Sequence, residues 1–138
     1  MNPRRCLLFV PGSRPERFDK ALATDADQVC IDLEDAVGPQ DKDTARSAAF
    51  AYIAGRSPGR SELGLRLNAV SSRDGARDLA ALRASSVEPD FVMLPKDERS
   101  PSGRGADAAA GVYAGAAYFI RLIEGTEVFF DDPEYGRT

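Results

Sequence analysis

The chain has 138 residues, 43% of them hydrophobic, the usual size and core content of one globular domain. Its net charge of −4, with acidic and basic residues interspersed, excludes the basic patch that nucleic acid or an anionic membrane surface needs. It contains no histidine, which removes Ser-His-Asp and Cys-His nucleophilic sites, imidazole zinc sites and histidine acid–base catalysis, so any catalysis falls to carboxylates, Lys, Arg and a hard metal ion.

The start, Met1-Asn2-Pro3-Arg4-Arg5, leads into only about five apolar residues before Pro11, too few for a signal-peptide core, and no later run is long enough for a membrane span. A cytoplasmic protein is expected. Apolar runs at Cys6 to Val10, Gln28 to Leu33, Leu63 to Asn68, Asp90 to Pro95 and Ala117 to Glu124 read as strands, recurring every 22 to 35 residues. Between them, helices are predicted over Pro15 to Ala23 (Phe18 and Leu22 four apart), Asp41 to Ile53, and Arg73 to Leu82 with Leu79 and Leu82 on one face. This βα rhythm, with near-continuous apolar strands, favours a parallel sheet covered on both faces. Cys6 and Cys30 both lie inside apolar runs and are expected to be reduced core residues. The small-residue stretch Ser100 to Gly111 reads as a mobile connection whose alanines can form a weak helix, and residues 125–138 read as an irregular tail.

The second strand runs into Asp32-Leu33-Glu34-Asp35 and is closed by Gly38-Pro39. Carboxylates at the end of a buried strand must be paired, hydrogen-bonded or metal-bound, so these acids suit either a site or a solvated loop of helix-capping residues. Parallel α/β folds gather their sites at the carboxyl ends of the strands, and every predicted strand here ends in polar residues. These are Gly12-Ser13-Arg14, then Glu34-Asp35, Arg66-Leu67-Asn68, Pro95-Lys96 and Glu124-Gly125-Thr126. Arg, two acids, Arg, Lys and Glu on one rim would suit an anionic substrate and a divalent cation. Taken singly, Arg66 is equally an ion-pair partner for Glu34 or Asp35, Lys96 a solvated loop lysine, and Gly12-Ser13 a helix cap rather than a phosphate loop.

The segments Leu8-Phe9-Val10-Pro11-Gly12-Ser13-Arg14-Pro15-Glu16-Arg17-Phe18 and Ile31-Asp32-Leu33-Glu34-Asp35-Ala36-Val37 resemble the citrate lyase β-subunit-like family of the HpcH/HpaI aldolase superfamily. Arg66-Leu67-Asn68, Leu94-Pro95-Lys96 and Leu122-Ile123-Glu124 follow in that family's order. The resemblance implies the N-terminal portion, about five βα units, of a TIM-type (β/α)8 barrel. It also implies Mg2+-dependent cleavage or formation of a C–C bond in a β-hydroxy acyl-CoA thioester of the citryl, malyl or citramalyl kind, through an enolate. By the same resemblance Glu124 is the metal ligand, Arg66 binds substrate oxygens, Glu34 and Asp35 join Arg66 as catalytic groups, and Arg14 and Lys96 face substrate carboxylates or CoA. The partners implied are an acyl-CoA thioester or oxo acid and further copies of the chain, a trimer in that family.

The family's barrel takes about 250 residues, so this chain reads as a single partial barrel domain over residues 1–138, and the family's second metal-binding Asp has no counterpart in it. Two further readings stand beside the enzyme: a truncated, inactive relative, and a five-stranded flavodoxin-like domain that binds a ligand in an acidic pocket.

Overall fold

The computed structural model describes residues 4–69, 71–95, 118–121 and 127–130, the last two ranges by their backbone. Four strands, β1 (Leu7–Pro11), β2 (Gln28–Asp32), β3 (Glu62–Arg66) and β4 (Phe91–Leu94), pair in parallel and in chain order. The connections carry α1 (Phe18–Leu22), α2 (Lys42–Gly55) and α3 (Arg73–Ala84). The helix predicted over Pro15 to Ala23 is a 3-10 turn at Pro15–Arg17 followed by the short α1, and Arg14 caps that turn without a side-chain hydrogen bond, so Gly12-Ser13 is no helix cap. Helix α3 is capped in the ordinary way, with the Gly75 N–H donating to the Ser72 hydroxyl at 2.9 Å.

Strand alternation sorts the side chains into two layers. Val10, Val29, Ile31, Leu33, Leu63, Leu65, Leu67, Val92 and Leu94 face the helices, where Phe18 and the α2 stripe of Ala45, Ala49, Phe50 and Ile53 bury them. The other face is that of a barrel interior. Its central row, in register, is Phe9, Cys30, Gly64 and Phe91, and the row above it is Pro11, Asp32, Arg66 and Met93. Sequential strand order has no switch point, whereas a flavodoxin-like sheet needs one between its first and third strands, so that alternative is excluded.

The expected fifth parallel unit is not formed. Strand β5 (Tyr118–Arg121) pairs antiparallel with β4, and β6 (Glu127–Phe130) pairs antiparallel with β5. A parallel crossover needs a helix with an apolar face to lay on the sheet. Residues 96–117 offer only Val112 and Tyr113 as large apolar side chains, whereas a five-residue link joins β5 to β6, a hairpin length. Strand β6 also lies inside the stretch expected to be irregular, and Cys6, expected in the core, is exposed while Cys30 is buried. The stretch Ser100 to Gly111 lies outside the described residues. Among the described residues no helix is long and apolar enough to cross a membrane.

Gly64 is required by the inner row, because a Cβ built on it would stand 2.4 Å from the ring of Phe91, which is only 2% exposed. Gly64→Ala is expected to destabilise the fold by about 1–3 kcal/mol, the cost of overpacking a filled core. A urea melt of the variant with an unchanged midpoint would contradict this packing.

Candidate functional site at the strand tips

The polar row lies at the carboxyl end of the sheet. Asp32, the last residue of β2, is 1% exposed, and four donors saturate its carboxylate. Oδ1 accepts from the Glu34 N–H at 2.8 Å and from Arg66 Nε at 2.9 Å. Oδ2 accepts from the Ala36 N–H at 3.2 Å and from Arg66 Nη2 at 2.5 Å. Parallel register makes this possible, since Asp32 and Arg66 are direct neighbours on β2 and β3. The backbone part is an Asx turn, in which the side chain of Asp32 folds the chain back and so shapes the loop carrying Glu34 and Asp35.

Arg66 is held on three sides. Besides Asp32, its guanidinium lies 4.8 Å from the centroid of the Phe9 ring, and its Nε is 3.6 Å from Glu34 Oε1. Phe9 stands in the row beneath, two strands away, with the small Gly64 and Cys30 between. Phe9 is the one exposed large hydrophobic side chain among the described residues, 42% accessible, so the guanidinium covers an otherwise open ring.

Two carboxylates therefore experience opposite environments. Burial pushes the Asp32 carboxyl up, but hydrogen bonds from Arg66 and from the Glu34 and Ala36 N–H groups outweigh it and hold the group below its ordinary 3.8. Burial, then the charge of Asp35, raises Glu34 above its ordinary 4.5, with Arg66 and Lys42 pulling only part of the way back. Arg66 is itself raised, chiefly by its hydrogen bonds to Asp32. Asp32 is thus a fixed anion with no free lone pair, suited to holding an arginine rather than a metal or a proton. Glu34 is the half-buried carboxylate that gains from a nearby cation or proton.

The tip of β3 is anchored separately. Asp78 of α3, fully buried, accepts from the Asn68 N–H at 2.8 Å and from Asn68 Nδ2 at 2.7 Å, and from Arg46 Nε of α2 at 2.6 Å. Asn68 therefore points back into the helix layer and not toward the rim.

Of the residues singled out in the sequence, Arg66 and Glu34 come together as expected, and Asp35 is exposed beside them, near enough for its charge to act on both. Arg14, at the same end after β1, is exposed and pairs with Glu16 at 3.6 Å. Lys96 and Glu124 lie outside the described residues. The fifth parallel strand expected to deliver Glu124 to this rim is replaced by the antiparallel β5, whose residues run from the tip of β4 back toward its start. The sequence shows Asp32 among the acids that close the second strand but does not single out its role. The available signal was alternation, since Asp32 shares a phase with Gln28 and Cys30 on one strand, as Arg66 does with Glu62 and Gly64 on the next.

Residues 5–109 match the family model described as HpcH/HpaI aldolase/citrate lyase. The chain belongs to that family. Within the HpcH/HpaI aldolase/citrate lyase family it is 39% identical over 113 residues to the L-malyl-CoA/beta-methylmalyl-CoA lyase of Cereibacter sphaeroides, an alignment covering 81% of this chain and 33% of that enzyme. It is 35% identical over 96 residues to the mitochondrial citramalyl-CoA lyase of Homo sapiens, covering 70% of this chain and 28% of that enzyme. The citrate lyase beta subunit of M. tuberculosis, solved in complex with oxaloacetate and magnesium, superposes with a TM-score of 0.55 at 44% identity over 71% of this chain and 42% of that one. The four parallel strands and their helices are thus the N-terminal part of the family's TIM-type barrel, and the chain spans about a third of the length of the curated relatives it matches.

Because Glu34 titrates above its ordinary value in the fold, the folded state holds its proton longer than the unfolded chain, and Glu34 costs stability as pH rises from 4.5 upward. Asp32 acts the other way, contributing stability above 3.8 that is lost as pH falls through its depressed value. Glu34→Gln is therefore expected to remove a fall in stability that sets in as pH rises above 4.5 in a melting-temperature series, leaving the acid limb below 3.8 in place. A variant whose profile overlays the parent throughout would contradict the placement of Glu34.

Proposed function

We propose that this chain carries the substrate-gripping part of a C–C lyase that cleaves, or in reverse forms, a β-hydroxy acyl-CoA thioester of the malyl, citramalyl or citryl kind. The observation that carries the reading is the Arg66 guanidinium, fixed by Asp32 at the strand tips with Glu34 against it, in a chain whose relatives are named for such lyases. Two of its nitrogens are committed to Asp32, which leaves Nη1 as the donor for a substrate oxygen among the described contacts.

In the cleavage direction the hydroxyl loses its proton and becomes a carbonyl while the C–C bond breaks and its electron pair moves into the thioester enolate. Negative charge therefore develops on oxygen, and a guanidinium already held in place needs no reorganisation to meet it. Glu34, whose carboxyl burial and the charge of Asp35 raise above its ordinary 4.5, suits the acceptance and return of that proton, and Asp35 beside it keeps the loop negative. Arg14 and Lys96 are assigned to the carboxylate or CoA end of the substrate.

The donor chemistry of the rim fits Mg2+, which takes hard oxygen ligands, one or two of them protein carboxylates, and retains water. Among the described residues no group of three acidic or cysteine side chains is arranged as a metal site, so Glu34 and Asp35 supply the attracting potential here, and Glu124 is a ligand by resemblance alone, because β5 runs from the tip of β4 back toward its start. When bound, the ion supplies polarisation of the oxygen on the carbon that becomes the carbonyl. We assign the working form to a cytoplasmic homo-oligomer.

The antiparallel β5 favours a second reading, a relative that binds the substrate but does not turn it over. Mg2+-dependent acetyl-CoA release from malyl- and citramalyl-CoA, together with calorimetric binding of oxaloacetate, separates the two. The enzyme reading predicts release above buffer that falls about 100-fold in Arg66→Ala, the usual loss when a preorganised donor is removed. Binding without release supports the second reading, and neither binding nor release overturns both.

A further inference from the structure

We propose that Lys42 and Arg46, one helical turn apart at the start of α2, are positioning residues that fix Glu34 and Arg66 relative to each other. The proposal rests on the functional reading of the rim given above. Lys42 Nζ donates to the carbonyl of Leu33 at 3.0 Å and to that of Glu34 at 2.6 Å, gripping the backbone of the loop beyond β2. Arg46, 9% exposed, donates from Nε to Asp78, whose other oxygen takes both the N–H and the side-chain amide of Asn68, two residues beyond Arg66. One helix thus holds the tips of two adjacent strands, and the two groups it brackets are the ones that face each other at 3.6 Å across the rim.

Local propensity does not explain this arrangement. Lys42 is the first residue of α2, at the positive end of the helix dipole, where a cation is disfavoured. Its two carbonyl contacts offset that placement. Arg46 and Asp78 bury an ion pair where apolar side chains of similar volume would serve stability as well or better. Both departures from the locally favoured residue are accounted for by geometry at the rim, where departures of this kind are expected to concentrate. Lys42 spends its contacts on backbone carbonyls and Asp78 on Asn68 and Arg46, so loss of the linkage acts through Glu34 and Arg66.

The test is hydrogen–deuterium exchange on the full chain, with oxaloacetate affinity in Mg2+ measured alongside, for the parent, Lys42→Met, Lys42→Arg and Asp78→Asn. Lys42→Met is expected to raise exchange in the 33–37 segment roughly tenfold, the effect of losing charge-assisted hydrogen bonds, while β1, β3 and β4 stay protected. Lys42→Arg should recover most of that protection, and affinity should fall with Lys42→Met and return with Lys42→Arg. Asp78→Asn should loosen residues 67–69 in the same selective way; if it fails to fold, Lys42→Met decides the matter alone. Unchanged exchange at 33–37, a uniform rise in every segment, or affinity indifferent to Lys42→Met would overturn the proposal. If the parent itself binds no oxaloacetate, the functional reading fails, and the exchange pattern still decides whether α2 holds the two tips.

Discussion

A carboxylate that is 1% exposed stays ionised only if donors replace the water it has lost, and Asp32 has four of them within 3.2 Å. Two come from its own loop and two from the neighbouring strand. The backbone pair fixes the turn that presents Glu34 and Asp35, and the guanidinium pair fixes Arg66. Moving any of these groups would leave a buried charge short of a partner, which is the expensive outcome for such a pair even where its net contribution to stability is small. The interaction is therefore better understood as specifying a geometry than as holding up the sheet, whose stability comes from the apolar layer against α2.

The rest of the rim is arranged around that pair. Glycine at 64 makes room for the Phe91 ring in the row beneath, where the arginine also lies over Phe9. Gly12 brings the first loop close, its N–H donating to the Asp32 carbonyl at 2.8 Å, and a Cβ there would meet that oxygen at 3.0 Å. At the opposite end of the sheet, charges serve a different purpose. Glu62 accepts from Arg4 Nε and Gln28 Nε2, each at 3.1 Å, in contacts that tie the start of the chain to β2 and β3. Charge alone does not mark the site; the half-buried carboxylate beside a fixed guanidinium does.

The parallel part of the fold was legible because apolar runs of four to six residues, separated by helical patterns, have few other solutions. The first four strands and the helices at 41–53 and 73–82 fall where that pattern puts them. The fifth strand kept its place and lost its direction, because an apolar run such as Tyr118–Arg121 looks the same whichever way it pairs, and the choice turns on what the connection can pack. Cys6 looked like core because it adjoins Leu7 and Leu8, yet it stands just before the strand begins. Within the site, Glu34, Asp35 and Arg66 stood out as charges at strand ends. The role of Asp32 depends on register between two strands, and Lys42 reaches carbonyls that carry no mark in the sequence.

The proposed chemistry draws on family membership through residues 5–109 and on a guanidinium with one side left for an anionic oxygen. The geometric support depends on Asp32 and Arg66 acting as a unit. A double-mutant cycle with Asp32→Asn, Arg66→Met and the pair together, followed by urea denaturation, measures that unit directly. The account predicts a coupling of about 2–3 kcal/mol, at the upper end for residues in one buried network. Effects that add to within about 0.5 kcal/mol, as for distant sites, would contradict it.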